Sequence, residues 1–471
     1  MNANSRLGAG WVAVTMLLFG APNAWAASPH ASLADYTGTY ADGPHHTIEI
    51  VAGGSLFAVV DGATYGLKVT GPDELTTIGG EKIPFRRDAK GRISGYTQDG
   101  RFHARLSTRV SAQSARLAYP RPAGEVYRYR VPPDRHDGLA VGNIADTPLG
   151  VGAADTIVAK IDDGTYPNVH SVLLYVNGKL VLEEYFYGYA ADRKHQLRSA
   201  TKSIVGALAG IAVDHKRLDI NDPALRLLGI GVAADPDPRK RKITVRDFLT
   251  MRSGLDCNDH SNTSPGRETV IDFEPDWVKA VFALPMINDP GMLGYYCSAG
   301  VAVVGRIVEK ATGSYLPEYA RAHLFEPLGI ADWTWNYNLT NADKEYAQIH
   351  LRPRDMLKFG ILFAQGGEWH GHRVLSQAWV RESLRGQAVV DGTEYGYFWW
   401  RPWLSVGGKL VYVSAAQGNG GQKIYVVPQY RLVAVFTGGD YNSAGSPMNG
   451  IMINDVLPPL MAAHPDATAR P

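Results

Sequence analysis

The sequence predicts an α+β chain in two parts: a small all-β domain, then a larger domain with one antiparallel sheet flanked by helices and a helical subdomain. Three observations predict it. Short alternating segments between closely spaced turn residues fill positions 33–117. Beyond them, strand patterns recur at both ends of the chain while the middle carries helical periodicity. Between the two lies a stretch with five prolines, at 120, 122, 132, 133 and 148.

Composition fits that reading. The 471 residues are 45% hydrophobic, which excludes wholesale disorder, and the 47 basic against 46 acidic side chains leave a formal charge of +1. With near-neutral charge and no long Lys/Arg block, nothing argues for a nucleic-acid partner. Residues 1–26 read as a secretory signal peptide: Arg6, an apolar stretch from Trp11 to Gly20, and a small-x-small site at Ala24-Trp25-Ala26. The stretch is about half the ~20 residues a membrane span needs. The expectation is an exported protein, periplasmic or secreted, with no stable span in the mature chain. In such a compartment the only two cysteines, Cys257 and Cys297, can form a disulfide or remain two small buried thiols.

The elements follow in order. Residues 33–117, with segments such as Thr47–Val51 and Leu56–Val60 and turns at Gly53-Gly54, Asp61-Gly62 and Asp99-Gly100, suggest a small antiparallel barrel or sandwich. Residues 118–165 read as a Pro-rich linker, and 166–465 as the second domain. That domain opens with two alternating runs flanking Asn177-Gly178, a hairpin signal. Leu197 to Asp214 carries Ile204, Leu208, Ile211 and Ala212 at helical spacing. Thr244 to Met251 is a short helix capped by Thr244 and Asp247. Val301, Val304, Ile307 and Val308 mark another, stopped by Gly313, and Pro353 opens a helix through Phe363. Strands are expected at Leu410–Ser414, Lys423–Val427 and Leu432–Thr437, and a closing helix at Met448–Met461.

Three segments carry chemistry. Ser199-Ala200-Thr201-Lys202 places a hydroxyl and an amine at i, i+3 on one face of a helix start, within hydrogen-bond reach. A neutral lysine there can take the serine proton, and burial with neighbouring positive charge is expected to lower its pKa. Tyr295-Tyr296-Cys297-Ser298-Ala299-Gly300, in a loop before a helix, can place a phenol to shuttle a proton. Gln417-Gly418-Asn419-Gly420-Gly421-Gln422 enters a strand, where glycines let backbone approach a ligand and an N–H can join an oxyanion hole.

Together these segments resemble the serine β-lactamase/penicillin-binding-protein superfamily. Thr244 to Leu255 resembles its segment between the first two motifs. Pro353-Arg354-Asp355, Phe325 to Ile330 and Gly420-Gly421-Gln422 are most similar to the esterase and 6-aminohexanoate-dimer hydrolase branch. The resemblance implies a β-lactamase/DD-peptidase-like fold in which Ser199 is acylated, Lys202 is its base partner and Tyr296 the proton shuttle. It implies an oxyanion hole from the N–H groups of Ser199 and Gln422, with Ser298, Asn419, Gly420 and Gly421 contacting substrate. No metal or other cofactor is implied, and the partner is a small ester or amide. Two departures bear on substrate. Ser298 stands where many relatives have Asn, and neutral Asn419 stands where they have Lys or His, so a cation for the carboxylate of penicillins or D-Ala-D-Ala peptides is missing. Esters or less charged amides are favoured. The alternatives are a D-Ala-D-Ala carboxypeptidase/β-lactamase and a non-hydrolysing ligand sensor. An α/β-hydrolase is disfavoured because no Gly-x-Ser-x-Gly occurs. His350, His370 and His372 lack metal-ligand spacing, and Tyr395 with Trp399-Trp400 reads first as core.

Overall fold

A computed structural model describes residues 32–467 apart from 44–45, 61–62, 79, 99, 123, 231–236, 273, 337–347 and 444. The expected signal peptide, and the turn residues Asp61, Gly62 and Asp99, lie outside the described residues.

The first domain is a barrel rather than a sandwich. Its strands are β1 (Gly38–Ala41), β2 (Thr47–Ala52), β3 (Leu56–Val60), β4 (Ala63–Gly71), β5 (Glu74–Thr77), β6 (Lys82–Arg87), β7 (Ile93–Gln98) and β8 (Arg101–Ser107). Each pairs with its sequence neighbour and β8 returns to β1, closing the sheet and leaving no open edge. One end is packed solid by Tyr36, Tyr40, Leu56, Leu75, Phe85 and Tyr96, whose rings meet edge-on or tilted.

The 118–165 segment departs from the expected linker. Gly150–Asp162 is a helix (α1) that buries Ala154, Ile157, Val158 and Ile161 in the core of the second domain. Those four residues recur at helical spacing, a signal that the surrounding prolines mask. The extended stretch is confined to the residues before it.

The second domain is built on an eight-stranded antiparallel sheet: β9 (Val169–Val176), β10 (Lys179–Tyr185), β11 (Ala388–Val390), β12 (Thr393–Tyr395), β13 (Trp400–Arg401), β14 (Ser414–Gly418), β15 (Gln422–Val427) and β16 (Leu432–Gly438). The spatial order is β10-β9-β16-β15-β14-β13-β12-β11, so strands from the start and end of the domain lie side by side, β9 against β16. Asn177-Gly178 turns the β9–β10 hairpin, with φ of 51° and 87° and Val176 paired to Lys179. The expected strand at Leu410–Ser414 is split. Lys409–Tyr412 pairs with Trp403–Val406 in a separate ribbon, and the chain joins the main sheet only from Ser414.

Helices cover both faces. On one lie α2 (Thr201–Asp214), α3 (Ala299–Thr312) and α4 (Pro353–Ala364), whose buried side chains form one core with Ile424, Val426, Val433 and Val435 of the sheet. Gly360 lets α4 approach closely, since a Cβ there would lie 2.6 Å from Val433. The other face packs α1 and the C-terminal helices against Ala415, Tyr425, Ala434 and Phe436. The closing helix is interrupted: Pro447–Ile451 and Leu457–Ala463 flank a wider π-type turn at Met452–Val456.

A buried ion pair locks this frame. Arg354 at the start of α4 is 3% exposed and meets Glu183 of β10 at 2.6 Å and Asp137 at 3.2 Å. The Pro353-Arg354-Asp355 segment therefore joins helix, sheet and preceding chain. Among the described residues, no helix is long and apolar enough to cross a membrane.

Candidate active site

Ser199 lies in a tight 3₁₀ turn, Arg198–Ala200, that runs straight into α2. Arg198 holds a left-handed φ of 51°, an uncommon conformation for a non-glycine residue. β14 passes alongside: a Cβ at Gly418 would lie 2.1 Å from the Leu197 carbonyl oxygen, so glycine is needed for strand and turn to meet.

One turn on, Lys202 is 6% exposed and its Nζ donates to Ser199 Oγ at 2.8 Å. The same Nζ is 5.0 Å from the Tyr296 ring centroid. The pair expected at i, i+3 therefore forms, and the tyrosine of the second segment joins it. The expected depression of the lysine pKa does not hold. Burial works to lower it, but the Tyr296 phenol and the carboxylates of Glu268 and Asp259 outweigh burial and hold Lys202 above its ordinary value. Those acids are remote in sequence, and only the fold brings them near.

Tyr296 is 7% exposed, stacked on His260 and on Trp400 at 5.2 Å each, with Tyr395 edge-on at 6.5 Å. Its loop is fixed from several sides. Cys257 and Cys297 are disulfide-bonded, with Cα atoms 5.3 Å apart. Asp259 N–H donates to the Tyr296 carbonyl at 2.8 Å. The Asp259 carboxylate accepts from Ser298 N–H and Glu268 N–H, both at 2.7 Å. His260 in turn meets Asp391 at 2.7 Å, in the β11–β12 hairpin.

The substrate-contact residues divide. Among the described residues, Ser298 Oγ is buried and has no hydrogen-bond partner. Asn419 is committed elsewhere: its Nδ2 donates to Asn442 Oδ1 at 2.7 Å and its Oδ1 accepts from Asn442 N–H at 2.8 Å. Gly420 and Gly421 have φ of 87° and 93°, and a Cβ on either would strike Tyr441 at 2.5 Å or Met448 at 2.4 Å. Their close approach is thus to protein side chains, not to open space kept for ligand. Gln422 is fully buried, and its carboxamide brackets β16 by donating to the Gly438 carbonyl and accepting from Gly438 N–H. The oxyanion contact expected of Gln422 concerns its main-chain N–H, not this carboxamide.

Sequence reasoning missed Asp259, His260, Asp391 and Asn442. Each sits in irregular chain with no periodicity, and only the disulfide spacing hinted that 257–260 returns to the tyrosine loop. Trp399 is core, with no exposure, while its neighbour Trp400 packs on Tyr296.

This fold and the Ser199–Lys202–Tyr296 cluster define a serine hydrolase of the β-lactamase fold. Residues 154–446 match the Beta-lactamase family, and the chain belongs to it. Similar proteins include the 6-aminohexanoate-dimer hydrolase of Paenarthrobacter ureafaciens, 27% identical over 62% of this chain and 78% of that one. The lovastatin esterase of Penicillium rubens is 31% identical over 28% of this chain and 33% of its own length. A crystal structure of a family VIII carboxylesterase shares the fold with a TM-score of 0.53 at 16% identity, over 70% of this chain and 99% of that one.

Proposed function

We propose that the protein is an exported hydrolase that cleaves a carboxylic ester or uncharged amide through an acyl-enzyme on Ser199. The observation that carries this is the 2.8 Å contact from Lys202 Nζ to Ser199 Oγ with Tyr296 against the same ammonium. In the reaction, Ser199 Oγ attacks the carbonyl carbon and gives its proton to the Tyr296 oxygen, which accepts it as a phenolate beside the Lys202 ammonium. The lysine, favoured as ammonium, orients Oγ by donating to it. The developing oxyanion rests on the N–H groups of Ser199 and Gln422, at the positive end of α2. Tyr296 returns the proton to the leaving oxygen or nitrogen, and water then releases the acyl group.

The ester preference is supported by the strand turn. The neutral Asn419 is hydrogen-bonded to Asn442 and supplies no cation for a substrate carboxylate. Export is supported by the disulfide, which belongs to an oxidising compartment. The test compares turnover of p-nitrophenyl butyrate with that of a chromogenic cephalosporin. The ester is expected to be faster, and faster cephalosporin hydrolysis would overturn the preference.

A further inference from the structure

The barrel is filled at one end only. At the other, a cavity of about 510 Å³ remains, within the range of small-molecule sites. Its walls are apolar, from Ile48, Ile50, Ala58, Val60, Leu67 and Phe85. The polar pair beside them, Gln98 and Glu81, is hydrogen-bonded to itself at 2.9 Å. The one carboxylate in the lining, Glu81, thus has a hydrogen-bond donor, and the rest of the wall offers no charged group.

The open end faces the catalytic domain. Tyr441 and Asn442, in the loop after β16, complete the cavity wall. Tyr65 of the barrel stacks on Tyr441 at 5.2 Å and accepts from Arg198 Nη2 at 3.2 Å, one residue before the nucleophile. Asn442 is the residue that captures Asn419 of the glycine turn. A second cavity of about 700 Å³, lined by His195, Gln196 and Arg198, shares Val60, Tyr65 and Tyr441 with the first. The barrel cavity thus adjoins both chain segments expected to flank the reacting carbonyl.

We propose that the open end of the barrel seats the apolar moiety of the substrate, an alkyl chain or aromatic group, making the first domain a specificity element of the hydrolase. This rests on the hydrolytic reading above. Burial of each methylene there raises kcat/KM about three- to fourfold.

The experiment uses the full mature chain. Binding of the uncharged probe N-phenyl-1-naphthylamine is titrated by fluorescence on the wild type, on Ser199→Ala and on Ala58→Trp, which fills the cavity. Ile48→Trp replaces the last if a thermal melt shows it unfolded. In parallel, kcat/KM is measured across p-nitrophenyl esters from acetyl to octanoyl. Saturable probe binding by wild type and Ser199→Ala, at least tenfold weaker in the filled variant, is expected, together with a rise in kcat/KM along the series that the filled variant loses. Absence of saturable binding in the wild type overturns the proposal. So does a chain-length profile identical in wild type and filled variant, which assigns any bound probe to a separate apolar ligand. Because Ser199→Ala reports binding without turnover, absence of hydrolysis counts against the hydrolase, while the seat is still decided by the probe.

Discussion

Replacing both Cys257 and Cys297 by Ala tests how the tyrosine loop is held. The bond closes a loop of 40 residues. In the chain-entropy treatment, a loop of that length contributes ~4 kcal/mol at 25 °C by restricting the unfolded chain. At ~2 °C or more per kcal/mol for a domain of this size, the melting temperature should fall by roughly 8 °C or more. Both side chains are buried, so Ala avoids adding buried hydroxyls. Function should suffer as well, because Cys297 directly follows Tyr296 and Cys257 lies two residues before Asp259. A displacement of the phenol by about 1 Å can cost up to ~10² in kcat. The assays are a thermal melt of wild type with and without reductant, a melt of the double variant, and ester turnover of each. Reduction and substitution should agree in direction and size. Two titratable thiols in the unreduced protein, or a melting temperature unmoved by reductant, would refute the reasoning.

Three further outcomes follow from the geometry. Tyr296→Phe keeps the stacking on His260 and Trp400 but removes the hydroxyl, so kcat should drop by ~10²–10⁴ with little change in melting temperature; unchanged turnover would remove the phenol from the mechanism. Arg354→Met strands the buried Glu183 carboxylate and should cost ~3–5 kcal/mol in denaturant unfolding, most of it recovered by Glu183→Leu in the same chain; a loss below ~1 kcal/mol would contradict the buried pairing. His195 is hydrogen-bonded to His170 at 2.9 Å, and burial pushes its pKa down to about 3. Its neutral form therefore stabilises the fold above the unfolded value near 6.5, and that stability is lost as pH falls toward 3, about 2 kcal/mol of it between pH 7 and pH 5. Equal unfolding free energies at those two pH values would sink that assignment.

The parts of the fold legible in the sequence were those set by local chemistry. Asn177-Gly178 specifies its hairpin because both residues tolerate positive φ. Thr244 and Asp247 form the reciprocal cap that their spacing implies. Gly313, at φ 70°, ends α3 where the apolar periodicity stops. Ser199 and Lys202 meet because helix geometry alone joins i and i+3. What escaped depends on contacts between distant segments. The lysine expectation failed because Tyr296, Glu268 and Asp259 reach it only through the tertiary fold. Helix α1 was hidden among prolines, and the interruption at Met452–Val456 leaves the apolar pattern intact on either side. The choice of barrel over sandwich turns on the return of β8 to β1, a long-range pairing that alternating segments do not encode.

The central claim is that Ser199 becomes covalently acylated, and intact-mass spectrometry after treatment with a fluorophosphonate reads it most directly. One adduct per chain, mapped by peptide digestion to Ser199 and absent from Ser199→Ala, is the predicted result. An adduct that survives in Ser199→Ala, or maps to another side chain, would contradict the account.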